Sequence, residues 1–141
     1  MSYVKVNEVI NKGKLCAIFV RAKDLRQIKH TSFITGNERF LQSGIVAHPA
    51  GYAEPVHYHR ERKRMVKGVE QMLYVTKGKL AMDFYDSDTQ KKFKTVILIP
   101  GDMMLIISGI HRLRTLTDSS AATVKLGPYV SPKEDKVELN E

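Results

Sequence analysis

The clearest signal along the chain is a period of two. In "LAMDFY" (80–85), Leu80, Met82 and Phe84 alternate with Asp83 and Tyr85, with Lys79 just before. Such alternation predicts a strand with one buried face. Short apolar runs at 15–20, 39–46, 71–76, 93–99, 103–107, 111–116 and 122–126 predict further strands, and 3–10 predicts one at the N-terminus. Between them stand turn residues. "DSDTQ" closes a hairpin between 80–85 and 93–99, and Pro100-Gly101-Asp102 makes a second turn. "RAKDLRQIK" reads as a turn or short helix. No helical period of about 10–15 residues alternates with the strands, which excludes a βαβ organisation. The pattern predicts an all-β sandwich or barrel. The polar, acidic segment 130–141 is expected at the surface.

Composition narrows this picture. The 141 residues suit one domain. Hydrophobic content of 43% and charged content of 27% are those of an ordinary soluble protein. No apolar run approaches the roughly 18–20 residues of a membrane span. "MSYVKVNEV" lacks the apolar core of a signal peptide. Cys16 is the single cysteine, which excludes an internal disulfide, a cysteine-based zinc site and a redox pair. A cytoplasmic protein is the expectation. The net charge of +8 gathers in Arg60, Arg62, Lys63, Arg64 and Lys67, and again near 90–94. No helix carries a basic face and no stacking aromatics interleave with the cations, which argues against nucleic acid as the partner.

The chemistry lies in "PVHYHRERKRMVKGVEQMLYVTKGKL" (55–80). On a strand, residues i and i+2 share a face, so His57 and His59 converge to form a metal chelate. Downstream come an acid and an amide, Glu70 and Gln71, and then Gly78. His111 follows a "PGD" turn and an apolar strand. The serines show no nucleophile-elbow pattern, and Cys16 sits in an apolar run where a thiol is inert.

These residues resemble the cupin family. Its first motif reads Gly, five residues, His-X-His, a spacer, Glu, six residues, Gly. Gly51 precedes His57 by five residues, and Gly78 closes the motif. Gly101-Asp102 and "SGIH" (108–111) match part of the second motif. The resemblance covers about 40–129 of the chain. It implies a double-stranded β-helix, or jelly roll, with additional N-terminal strands, in one domain over 1–141. It also implies a metal held inside the barrel by His57, His59, the residue at the acid position and His111. Two departures stand out. The spacer after His59 is long and holds the basic run. Counting six residues back from Gly78 reaches Gln71, with Glu70 as the alternative third ligand. Strand parity agrees, since Gln71 shares its face with Leu73 and Val75. The second-motif proline is also absent, with Ile107 or Ser108 in its place.

A site of three histidines and a neutral amide keeps the full charge of the metal, and suits Zn, Ni, Fe or Mn. The resemblance implies a metal-dependent enzyme, an isomerase or epimerase, acting on a small polar or anionic metabolite such as a sugar or nucleotide sugar. A non-catalytic ligand-binding cupin and an Fe- or Ni-dependent dioxygenase remain alternatives. Arg60, Arg64, Lys67 and Tyr85 are the candidates for substrate contact. No catalytic acid–base pair is identifiable. Exposed jelly-roll edges make a homodimer the expected assembly.

Overall fold

In the computed structural model, which describes residues 4–140, the predicted alternation becomes antiparallel pairing throughout. The elements are β1 (Asn7–Asn11), β2 (Lys14–Val20), α1 (Ala22–Leu25), β3 (Ser32–Phe33), β4 (Gly44–Ile45), β5 (Gln71–Lys77), β6 (Leu80–Tyr85), β7 (Lys92–Leu98), β8 (Met103–Ile106), β9 (Ile110–Thr115), β10 (Ser120–Lys125) and α2 (Pro132–Asp135). One sheet runs β1-β2-β8-β5-β10, a second runs β7-β6-β9, and β3 pairs with β4. The class is all-β. Among the described residues the sheets do not close into a barrel. No helix of the described residues is long and apolar enough to cross a membrane.

The two larger sheets share one apolar core. Phe19, Leu73, Val75 and Met104 enter it from the five-stranded sheet, and Met82, Phe84, Val96 and Leu98 from the three-stranded one. The register explains the selection. Leu73 lies opposite Met104, and Gln71 opposite Ile106, so these residues share the inner face. On the outer face Met103 and Val20 pack with Leu25, Ile28, Ile34 and Ile45, so α1 and the chain after it cover that side. The hydrophobic alternation thus sets which face each strand buries.

Two buried carboxylates pin the sheets. Asp102 in the β7–β8 turn is 1% exposed and accepts from Arg21 Nη1 at 2.8 Å, the backbone N–H of Ala22 at 2.8 Å and that of Ile99 at 3.0 Å. It therefore caps α1, whose own N-cap residue Arg21 makes no side-chain cap. Asp83, on the outer face of the three-stranded sheet, is fully buried under Arg114, which donates from Nε at 2.6 Å and Nη2 at 2.9 Å. Thr95 donates to it at 2.7 Å. The Arg114 hydrogen bonds hold the Asp83 carboxyl well below the usual carboxylate range, against the opposing effect of burial. Gly78 turns the chain from β5 into β6 at φ +77°, where an added Cβ would fall 2.2 Å from the Asp118 carbonyl oxygen.

Three expectations change. The strand over 39–46 shortens to Gly44–Ile45, because Gln42 Nε2 donates to the carbonyls of Gly36 and Arg39 and folds the segment into a compact loop. The strand that was to carry His57 and His59 does not form, and 46–70 runs without helix or strand. Pro49 and Pro55 each lack an N–H, and no described strand offers this segment a partner. The N-terminal strand begins at Asn7, while Tyr3, at its predicted start, lies outside the described residues. Replacing Asp102 by Ala removes the acceptor of the Ala22 and Ile99 N–H groups and one partner of Arg21, which keeps the Ile97 carbonyl. The expected loss is about 2–4 kcal/mol of unfolding free energy by urea titration, and a loss under about 1 kcal/mol would contradict the pinning role.

Candidate functional site

The inner faces of the two sheets are filled with apolar side chains at one end and left open at the other. The open end is a cleft of about 950 Å³, a volume typical of small-molecule sites. Its floor is Leu73, Met82 and Ile106. Gln71 enters from the start of β5, His111 from the start of β9, and Tyr85 and Arg112 also line it. The opposite wall is the C-terminal segment from Pro132 to Asn140.

Two of the four proposed metal donors therefore share this cleft. The Gln71 amide is locked by its neighbour. Its Nε2 donates to Thr123 Oγ1 at 3.0 Å, and Thr123 Oγ1 itself donates to the Met72 carbonyl at 3.0 Å. Because the Thr123 hydrogen is already used, only its lone pairs are left for Gln71, so the amide nitrogen must face it. Gln71 Oε1 is left as an acceptor without a protein donor among the described residues. His111 is fixed by similar logic. Its Nδ1 lies 3.1 Å from the Gly109 carbonyl, which can only accept, so Nδ1 carries the proton and Nε2 keeps its lone pair. Both groups thus present a Lewis base.

His57 and His59 stand elsewhere. They lie on the exposed arm 46–69, with ring centroids 5.3 Å apart and the rings nearly perpendicular. His57 Nδ1 lies 2.7 Å from the Pro55 carbonyl, and its Nε2 lies 3.7 Å from Glu54 Oε1. The two rings are close enough to meet one ion. They are not gathered with Gln71 and His111. Among the described residues, no group of three or more His, Cys, Asp or Glu side chains could hold a metal. As arranged, the chain does not fit a four-donor centre.

The alternative ligand Glu70 is occupied. Its side chain is buried, Oε2 accepts the Leu41 backbone N–H at 3.1 Å, and Oε1 lies 3.5 Å from Arg39 Nη1. It ties the 39–41 loop to the head of β5. Arg60, Arg64 and Lys67 are exposed on the arm, away from the cleft lining. Tyr85 lines the cleft, with the Arg112 guanidinium 5.8 Å from its ring centroid. His48 stacks on Tyr52 at 3.8 Å and pairs with Thr31 at 3.1 Å, and Cys16 is buried in the core.

Arg112 and Lys125 were not among the sequence candidates. Lys125 lies directly opposite Gln71 in the β5–β10 register and so shares its inner face. Its polar character at an inward position of a predicted strand was the available signal; the pairing that places it beside Gln71 is a long-range fact. A structural Glu70 and a site Gln71 are separable by stability. Glu70→Ala should cost about 2–3 kcal/mol and Gln71→Ala under about 1 kcal/mol in urea unfolding, and the reverse order would exchange their roles.

No family model matches the chain, and no curated protein or solved structure resembles it closely enough to count as a match.

Proposed function

We propose that this protein is a metal-binding cupin that takes a small polar or anionic metabolite, such as a sugar or nucleotide sugar, into the cleft between its sheets. The observation that carries this reading is the pair of oriented donors, Gln71 Oε1 and His111 Nε2, in one cleft with an apolar floor. His57 and His59 would complete the donor set. Since they lie on the arm, the reading requires 46–69 to close over the cleft, and with it the finer fold, a double-stranded β-helix. The arm is suited to such closure. It is long, unpaired and exposes Val56, Tyr58 and Met65, side chains that gain by burial.

A divalent metal held by three imidazoles and an amide would supply a positive centre for an anion, carbonyl or hydroxyl. The protein's own part is to present neutral donors and to exclude water with Leu73, Met82 and Ile106. Arg112 also lines the cleft, and its guanidinium is engaged by Asp83 at 3.6 Å. An isomerase, epimerase or dioxygenase activity belongs to this reading. A second reading, a non-catalytic ligand-binding cupin, is favoured by one observation: the carboxylates lining the cleft are Asp135 and Glu138, both from the C-terminal segment. A homodimer is part of the proposal, because β9 and β10 leave exposed edges.

Metal content tests the reading. Protein purified without a metal-affinity tag should carry or accept about one equivalent of Zn, Ni, Mn or Fe(II). Saturating metal, at about 100 times Kd, should raise Tm by roughly 5–10 °C. His57→Ala and His111→Ala should each abolish the rise. No stoichiometric metal and no shift in Tm would overturn the proposal, and a rise that survives His111→Ala would remove the cleft from the metal site.

A further inference from the structure

The C-terminal segment places a carboxylate where the cleft offers a cation. Lys125, at the end of β10, is opposite Gln71 and on the same inner face. Its Nζ lies 2.9 Å from Asp135 Oδ2 and 5.2 Å from the centroid of the Tyr129 ring. Asp135 sits on the single turn of α2, which Ser131 caps by accepting the Glu134 N–H at 3.3 Å. From there 136–140 continues along the cleft wall.

We infer that Lys125 is the oxyanion-binding residue of the cleft and that Asp135 is an intramolecular stand-in, which the phosphate or carboxylate group of a ligand displaces. The inference rests on the reading of the cleft as a ligand site. Three features support it. First, the Lys125–Asp135 pair is an ammonium–carboxylate contact at ordinary hydrogen-bond distance, the same chemistry that an oxyanion ligand would make. Second, the segment that supplies Asp135 is held weakly. No residue of the four-residue helix is fully buried, although Asp135 keeps only 18% of its side chain exposed, and Val137 and Leu139 beyond it are exposed. A helix of one turn does not persist by itself, and a partly exposed ion pair adds little. Third, an oxyanion on Lys125 is adjacent to Gln71, so a ligand held by its charged end at Lys125 extends toward the oriented donors Gln71 Oε1 and His111 Nε2. Tyr129 flanks the ammonium with its ring face and fixes its place.

The site thus carries its own gate. Segment 131–140 occupies the anion position when the cleft is empty and leaves it when a charged ligand arrives. Specificity follows from the same pair, because a neutral metabolite cannot offset the loss of the Asp135 contact.

Calorimetric titration of the full chain with inorganic phosphate, and separately with acetate, tests the inference. Asp135→Asn should bind one of these anions roughly two- to fivefold more tightly than the unaltered protein, the expected yield of freeing one exposed ion pair. Lys125→Met should lose that binding, and Lys125→Gln should behave the same way with less change of shape. The anion that gains more identifies the ligand group. Unchanged affinity in Asp135→Asn, retained affinity in both Lys125 variants, or no binding of either anion by any form would each overturn the inference. These outcomes are independent of metal content: a gain in anion affinity in a chain that takes up no metal would sink the metal reading and leave the Lys125 site standing.

Discussion

The inward alternation of β5 sets what lies between the two sheets. Val75 and Leu73 point into the shared core, and the same parity carries Gln71 to the inner face at the strand's start. Facing them, β6 contributes Met82 and Phe84, and β9 aligns His111 with Phe84. Apolar side chains fill the space at one end. At the other end the inward positions are an amide, an imidazole and an ammonium, from Gln71, His111 and Lys125, and the space is left as a cleft. The core and the site are therefore two ends of one arrangement. A one-residue slip of β5 would move Leu73 and Val75 outward and take Gln71 out of the cleft with them.

The carboxylates divide cleanly by task. Asp102, Asp83 and Glu70 are buried, each answered by an arginine, and each ties a loop or strand to its neighbour. Such groups are costly to leave unpaired and stay where their partners are. Asp135 is different, since it lies on an element with no fully buried residue and answers a lysine at the cleft wall. Gln71 and His111 differ again. Each spends one polar atom on a fixed protein partner and leaves the other without one among the described residues. That division of donors and acceptors, more than the presence of any residue type, marks the site.

Much of this was legible in the sequence. The hairpin of β6 and β7, the turn at Asp102 and the strand that starts at Gln71 follow from local alternation and turn chemistry. The choice of Gln71 over Glu70 for the inner face also follows, because parity is a local property. What did not follow was long-range. The loss of the 39–46 strand depends on where Gln42 sends its amide, and the open arm of 46–69 on the want of a partner strand. His57 and His59 have the spacing of a strand chelate without the strand. Lys125 and Asp135, 10 residues apart, meet through a turn that no periodicity announces.

The central claim is that the arm and the cleft form one metal-binding unit. The most direct measurement is a nitrogen–proton NMR correlation of the five imidazoles during titration with Zn²⁺. The account predicts that His57, His59 and His111 shift together and saturate at one equivalent, while His30 and His48 stay in place. A shift of His57 and His59 with His111 unmoved would make the arm a chelate of its own and contradict it.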